Sequence, residues 1–576
     1  MGFLKKYYKK YYKMFFLAIF FISLETFADL LQPTLMSALV DQGILRQDMD
    51  FVMRQGLLMV FVTFCGAVFA SIRNVISSNV ALAFSMELRH DIYEKIQSFT
   101  MKDMDRFSRA SLVTRMTNDV NQMQTFINGL MRIFVKAPLI FIGSLIMAAR
   151  LNMKLASVIL YVLPVVILIM VLNVRIGYPL FRTVQEKLDR VNDRMREYLS
   201  GVRVVKAFNS FVREDLLFRK VNEDLSDRSE KAMRTTSFFN PLIAIVLNLS
   251  LGIILYLGGY FHQSGEILPG QVMAFVNYMG QLLFSITMIG NIFNMLVRAK
   301  ASHERIDEIF AIPGSEEPGN LPIKDRTEVL EFEDVSFSYP EGSGLNALKD
   351  ISFRVEKGET LGIIGSTGSG KSTIANLILR FYDVTEGEIR FNGTNIREIR
   401  KGDLREKVSI VPQKPVLFTG TIIDNIRWGR KDAEMEKVEE ALKVADAYDF
   451  SMSFNNGLET LVGQGGMNFS GGQKQRLSIA RALVRDPEVL ILDDSLSKVD
   501  VETEQRIRNG LLQKNHDIIV VLISQRITSV MDCNRILVLD KGEVRGYGTH
   551  EELMGTSSEY REIFRSQIGE VSDGER

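Results

Sequence analysis

Nine consecutive residues, Gly365, Ser366, Thr367, Gly368, Ser369, Gly370, Lys371, Ser372 and Thr373, follow the apolar run TLGII and precede the apolar stretch TIANLILRF. Glycines at this spacing let backbone N–H groups converge on the β- and γ-phosphates of a nucleotide. Lys371 adds a point charge, and the Ser372 hydroxyl is a ligand for Mg2+. A glycine-rich turn accounts for the glycines but not for strand, loop and helix in that order. A second stretch, 489–500, reads VLILDDSLSKVD. Its four leading apolar residues suit a strand buried on both faces, which brings Asp493 and Asp494 to the strand's end. There Asp493 takes the outer shell of the Mg2+, and Asp494 faces the γ-phosphate and the attacking water.

Elements that hold such groups begin at about residue 328. Strand-like runs at 329–332, 359–364, 407–411, 518–523 and 535–539 alternate with helical ones, giving an α/β nucleotide-binding domain over 328–576. Ahead of it, Pro313, Gly314, Pro318 and Gly319 end a helix and mark a linker at 311–327. The remaining half has another solvent. Of the 576 residues, 46% are apolar, concentrated in the first three hundred. Six stretches, 14–40, 57–84, 134–149, 155–174, 238–261 and 271–297, are apolar enough to cross a bilayer as helices, each needing about 20 residues. The expected fold is therefore a membrane all-α domain over 14–310, with six transmembrane helices and long cytoplasmic extensions, followed by an α/β P-loop ATPase domain.

Lys5, Lys6, Lys9, Lys10 and Lys13 lie among tyrosines in 1–13, the pattern of a basic interfacial helix on anionic lipid. Lysine and arginine also crowd 85–133 and 175–237, whereas 262–270 has neither, so both termini and the nucleotide-binding domain are expected on the cytoplasmic side of a plasma (inner) membrane. Val184, Leu188, Val191, Met195 and Leu199 repeat at helical spacing in one basic segment. The membrane helices are thus expected to continue into the cytoplasm and turn near 99–107 and 208–215, where they meet what lies beneath. With a net charge of zero no nucleic-acid footprint is expected overall, and Cys65 and Cys533 imply no disulfide or cysteine metal site.

Phe469-Ser470-Gly471-Gly472-Gln473-Lys474-Gln475-Arg476 resembles the signature motif of ATP-binding-cassette (ABC) proteins. Six membrane helices ahead of such a domain resemble an exporter half-transporter, two chains of which make a working unit. The resemblance implies ATP and Mg2+ as cofactors, Tyr339 stacking on adenine, and Gln413 reaching Mg2+ and water beside Ser372 and Asp493. It also implies that Ser470, Gly471, Gly472 and Gln473 act on nucleotide held by the opposite chain.

Three positions depart from the family pattern. Asp494 stands where working sites have glutamate, Gln525 where they have the switch histidine, and the turn 495–500 differs from the usual Ser-Ala-Leu-Asp. Asp for Glu withdraws the carboxylate by more than about 1 Å, a misplacement able to cost about a hundredfold in rate. Gln for His keeps a donor and loses the chargeable ring. The expectation is a site that binds ATP and hydrolyses it slowly. The motifs resemble the degenerate-site subunit of heterodimeric bacterial multidrug exporters, so a second, similar chain is expected to supply the competent chemistry.

Charges within a span are functional candidates. Glu25 and Asp29 share a face of the first helix, and Met279, Phe284 and Met288 lie on the sixth, where pliable side chains suit varied apolar cargo. A wet helix face explains the carboxylates equally well. Arg73 and Lys136 are read as long side chains reaching the interface. The leading expectation is export of small amphipathic molecules. Peptide or lipid export and an ATP-gated channel or regulatory subunit are the alternatives.

Overall fold

The computed structural model describes residues 4–313, 321, 329–340, 344–514 and 518–569. The expected linker and the start of the nucleotide domain at residue 328 lie largely outside the described residues. Two compact units divide the chain: Met1–Tyr93 with Val113–Ala311, and Glu94–Leu112 with Ile312–Arg576.

The first unit is all helical. Its long members are α1 (Leu4–Ala38), α2 (Met49–Gln97), then after α3 (Met101–Asp105) and α4 (Arg109–Thr114) come α5 (Val120–Arg132), α6 (Lys136–Leu151), α7 (Met153–Ala207), α8 (Phe211–Ser237), α9 (Phe239–Gln263) and α10 (Pro269–Ala311). Among the described residues, six helical segments are long and apolar enough to cross a membrane. Exposed Leu57, Phe61 and Phe64 on α2, and Leu160, Tyr161 and Leu168 on α7, put apolar surface outward, as lipid-facing helices require. Packing inside uses small residues and buried hydroxyls. Gly143 of α6 admits Leu30 of α1, and the Tyr278 hydroxyl donates to the Leu30 carbonyl at 2.8 Å with Thr34 Oγ1 2.6 Å away. The stripe Val184 to Leu199 lies within the single helix α7, which packs along α8. Its turn into α8 passes through Asn209, at φ 49°, and leaves Phe208 and Val212 exposed.

Residues 4–13 are continuous with the first membrane helix. They are the first turns of α1, not a separate interfacial helix. Lys6 and Tyr7 bond Asp91 of α2 at 2.6 and 2.5 Å, and Lys10 and Tyr11 bond Glu87. Acidic residues at i and i+4 on α2 face Lys6, Tyr7, Lys10 and Tyr11, so two of the five lysines of the basic run find counter-charge within the protein.

Among the described residues, two π-helical turns, Leu39–Ile44 and Arg115–Asp119, interrupt the helices. Each presents a buried aspartate to α10. Asp41 Oδ1 accepts from the Gly270 N–H at 2.6 Å near its start. Asp119, fully buried, accepts from Ser302 Oγ at 3.0 Å and Arg305 Nε at 2.8 Å, while Arg115 pairs with Glu308 at 2.6 Å. An extra residue in a turn re-aims side chains, which is how such turns serve in proteins.

The second unit holds a six-stranded sheet in the spatial order Glu543–Gly548, Arg535–Asp540, Thr360–Gly365, Ile519–Ile523, Val489–Asp493, Val408–Val411, parallel except for the first. Val489 and Ile491 join one apolar cluster, Leu490 and Leu492 the other. That alternation with both faces covered explains the near-continuous apolar runs read from sequence. Ile523 pairs with both Ile363 and Asp493, so the strand ends carrying the phosphate loop, the aspartates and Gln525 share one edge. A second, antiparallel sheet runs Leu348–Glu356, Val329–Phe337, Glu386–Phe391, Thr394–Asn395. Residues 94–112 complete the unit. Their helix α3 starts at a Thr100–Asp103 capping box, and Phe99 stacks on Phe107 at 6.1 Å.

Candidate functional site

Ligands of open parallel sheets sit beyond the carboxyl ends of the strands, and there the sequence motifs converge. The phosphate loop leaves the sheet at Gly365, where a Cβ would run into the Leu539 carbonyl. It turns through left-handed Gly368 and Gly370, at φ 83° and 101°, and enters the helix Lys371–Ile378. Only glycine takes those angles without strain. Lys371 folds back on the loop, with Nζ 2.9 Å from the Gly365 carbonyl and 2.6 Å from that of Ser366. Its ammonium is buried, which lowers its pKa, and the nearby carboxylates of Asp494 and Asp493 oppose that shift. The carbonyls stand in for the phosphate oxygens that such a lysine meets in a bound nucleotide.

Ser372 Oγ donates to Asp493 Oδ1 at 3.0 Å. Adjacent ligands in an octahedron of about 2.1 Å radius stand about 3 Å apart, so the two oxygens fit neighbouring positions around Mg2+. Mg2+ is generally held by one or two carboxylates plus phosphates and water. Burial pushes the Asp493 carboxyl above the ordinary range, and the Ser372 hydrogen bond pulls the other way. A cation at this point would hold that proton off.

Asp494 departs from the strand at φ 46°, with its N–H on the Ile523 carbonyl at 2.9 Å. Gln413 Nε2 donates to its Oδ2 at 3.1 Å. Gln525 follows the strand Ile519–Ile523, is exposed, and its carbonyl accepts from Gln567 Nε2 at 2.7 Å. Tyr339 stands beside the phosphate-loop helix, with Oη 3.2 Å from Thr373 Oγ1. The structure thus gathers Lys371, Ser372, Gln413, Asp493, Asp494 and Tyr339 around one loop.

Ser470 to Gln473 form the start of the helix Gly471–Leu483. Ser470 Oγ accepts from the Gln473 N–H at 3.2 Å, and Gln473 Oε1 accepts from the Ser470 N–H at 2.9 Å. The S-x-x-Q spacing signals this capping box. The reciprocal bonds leave the Ser470 hydroxyl proton and the N–H groups of Gly471 and Gly472 as donors for a ligand.

In the membrane unit, the charged and pliable candidates are placed as follows. Glu25 is buried between Arg73, at 2.8 Å, and Lys136, at 2.5 Å, and Lys136 also pairs with Asp29 at 3.0 Å. Arg73 and Lys136 thus supply counter-charge to these carboxylates. Met279, Phe284 and Met288 do not converge: Met279 is packed in an apolar cluster with Tyr278 and Ile254, Phe284 is exposed, and Met288 is half-buried. Spacings of five and nine residues turn Met279 away from Phe284 and Met288, which lie four apart on one face of the helix.

Sequence reading missed Tyr382. Its hydroxyl donates to Asp105 at 2.6 Å, and its ring meets Tyr339 edge to face at 5.2 Å. No spacing signals a partner 277 positions away.

The ABC transporter transmembrane region family matches residues 15–286, and the ABC transporter family matches 348–497. An uncharacterized ABC transporter ATP-binding protein of Bacillus subtilis is 36% identical over 99% of this chain and 98% of its own. A putative multidrug export ATP-binding/permease protein of the same species is 32% identical, covering 84% and 83%. An ATP-dependent lipid A-core flippase of Mannheimia succiniciproducens is 29% identical, covering 93% and 92%. A bacterial Atm1-family ABC exporter solved with ATP bound shares the fold, with a TM-score of 0.79 at 24% identity over 98% and 99% of the two chains. With six spans leading into a phosphate-loop domain and both halves matched, this chain belongs to the ABC transporter family, as an exporter half-transporter that hydrolyses ATP.

Proposed function

We propose that this chain exports small amphipathic molecules as one half of a heterodimer, and that its own ATP site mainly holds nucleotide. The observation that carries the proposal is Asp494, bonded to Gln413, together with Gln525 in place of histidine. A carboxylate one methylene short polarises water poorly, and a carboxamide carries no proton away. The intact phosphate loop and capped signature turn fit a chain that still binds ATP and completes a site for its partner.

In this reading residues 365–373 hold the phosphates, with Lys371 exchanging its carbonyl partners for phosphate oxygens. Tyr339 stacks on adenine. Ser372, Asp493 and Gln413 hold Mg2+, which supplies charge neutralisation between the β- and γ-phosphates. Ser470, Gly471, Gly472 and Gln473 donate toward the γ-phosphate on the partner. The crowding of basic residues in 85–133 and 175–237 supports a cytoplasmic nucleotide domain under the plasma (inner) membrane.

For cargo, the multidrug relative supports small amphipathic molecules, and the flippase relative gives lipid a specific standing as the second reading. Tagged chain is purified from its native membrane and its companions are identified by mass spectrometry. A companion of similar length, with Glu and His at positions equivalent to Asp494 and Gln525, is expected. A homodimer that hydrolyses ATP at an ordinary exporter rate and loses it on Asp494→Asn overturns the proposal.

A further inference from the structure

Gln525 leaves the sheet from an inner strand. Ile519–Ile523 runs between the strand that delivers the phosphate loop and the strand that ends in Asp493. The Ser524 N–H donates to the Ile363 carbonyl at 3.1 Å, and the Asp494 N–H to the Ile523 carbonyl at 2.9 Å. Gln525, one residue further on, therefore emerges between the loop and the aspartates, where the terminal phosphate of a nucleotide stands. Its side chain is exposed, and its carboxamide is a donor for that phosphate.

The backbone after Gln525 is held from outside. The helix Ile527–Val530 is a single turn, and its N-cap residue Arg526 makes no side-chain capping bond. The Arg526 guanidinium goes instead to the Ser497 carbonyl at 3.1 Å. The Ile527 N–H, one of the orphan donors of a helix start, donates to Gln567 Oε1 at 2.8 Å. The same carboxamide donates through Nε2 to the Gln525 carbonyl at 2.7 Å. One side chain thus clasps the peptide groups on both sides of Arg526, which takes both halves of an amide. Gln567 rides on the helix Ser558–Ile568, and that helix is anchored. Ser557 Oγ accepts from the Tyr560 N–H at 3.2 Å and donates to the Arg545 carbonyl at 3.1 Å. Tyr560 is fully buried with its hydroxyl 2.7 Å from His550 Nδ1, and Ile563 and Phe564 pack on the apolar cluster that holds Leu492 and Leu522.

We infer that Gln567 is a positioning residue that aims the Gln525 carboxamide at the γ-phosphate, so that the helix Ser558–Ile568 sets how strongly this chain's own site prefers ATP to ADP. The inference rests on the reading that Gln525 stands at the switch position of that site. With the clasp in place, the backbone of Gln525 is fixed by the sheet on one side and by Gln567 on the other. Without it, the carboxamide swings, and the cost falls on ATP alone because ADP has no γ-phosphate to meet it.

The test uses the full chain in lipid nanodiscs with any companion it brings, the companion's phosphate-loop lysine being replaced. Affinities for a non-hydrolysable ATP analogue and for ADP are read by equilibrium binding with Mg2+, beside a thermal melt without nucleotide. Gln567→Ala is expected to lower analogue affinity about three- to tenfold, part of the worth of one hydrogen bond to a charged group, and ADP affinity less than about 1.5-fold. Gln567→Glu keeps an acceptor for the Ile527 N–H but turns a carboxylate toward the Gln525 carbonyl, and should lose as much. Because it retains one of the two bonds, it carries the test if the alanine variant melts early. Adding Gln567→Ala to Gln525→Ala should cost nothing further, as coupled residues do. Equal losses of both nucleotides, or an unchanged ratio in Gln567→Glu, make Gln567 a cap of the helix Ile527–Val530 alone and overturn the inference. An unchanged ratio in Gln525→Ala instead overturns the reading of Gln525 at the switch position and, with it, the inference.

Discussion

Gln413 Nε2 and Asp494 Oδ2 meet at 3.1 Å, so the carboxylate that follows the strand's last aspartate is held by an amide donor from the neighbouring strand's end. The same donor steadies the shortened side chain and ties it to the loop at 412–414. Restoring length and charge together is the direct test. Asp494→Glu with Gln525→His is expected to raise the turnover of this chain's own site by about ten- to a hundredfold, the scale of loss from a misplacement of about 1 Å. Asp494→Asn should change the rate less than twofold. Phosphate release, with the companion's phosphate-loop lysine replaced to silence its site, gives the measurement.

Removing Lys371 acts on binding. Lys371→Ala deletes the charge now satisfied by the Gly365 and Ser366 carbonyls, so the loop should keep its fold while ATP affinity falls more than about tenfold, the loss of one charge-assisted contact. Equilibrium binding of a fluorescent ATP analogue and a thermal melt without nucleotide separate the two effects. An unchanged affinity would argue against the phosphate role.

Arg305 and Asp119 should behave unequally. Asp119 is fully buried and Arg305 is 44% exposed at its side chain. Arg305→Ala strands a carboxylate in the helical unit and is expected to cost about 3 kcal/mol, the range for breaking a buried pair. Asp119→Ala leaves a guanidinium able to reach water and should cost less. Melting of detergent-solubilised protein reads the order, and equal losses would discount the burial argument.

Glu25 answers to the same logic. Glu25→Ala leaves Arg73, 8% exposed at its side chain, without its partner, so lower thermal stability is expected in place of any change in cation preference. Transport or binding of a cationic and a neutral dye by the same variant checks it. Selective loss of the cationic dye alone would restore the carboxylates to the cargo path.

Cys533 supplies a pH prediction. Burial pushes its thiol up to about 12 from an ordinary value near 9. At pH 8 the thiolate fraction is then about one in ten thousand, and since the thiolate is the nucleophile, iodoacetamide should spare Cys533 in the folded domain and modify it in urea. The neutral thiol is the form the fold prefers. Its contribution to stability is therefore intact below about pH 9 and lost as pH rises from there toward 12.

The sequence made the nucleotide domain legible wherever local order suffices. Strand, glycine loop and helix around 365–373 are contiguous, so their chemistry is written in one stretch. The parallel register then brought Asp493 to Ser372 as the run of four apolar residues implied. Asp105 and Tyr382 were illegible because each is an ordinary residue in its own neighbourhood and only the tertiary structure brings them together. The membrane charges were half legible. Spacing put Glu25 and Asp29 on one face, but the counter-charges Arg73 and Lys136 come from two other helices, and helix pairing is not encoded in a hydropathy profile.

The lysine and tyrosine pairs at the head of α1 have a practical consequence. Because Lys6, Tyr7, Lys10 and Tyr11 grip Asp91 and Glu87, a spin label or fluorophore placed near residue 5 is not a reporter on a loose tail. It becomes a ruler, reading the slide of the first helix against the second as the exporter works.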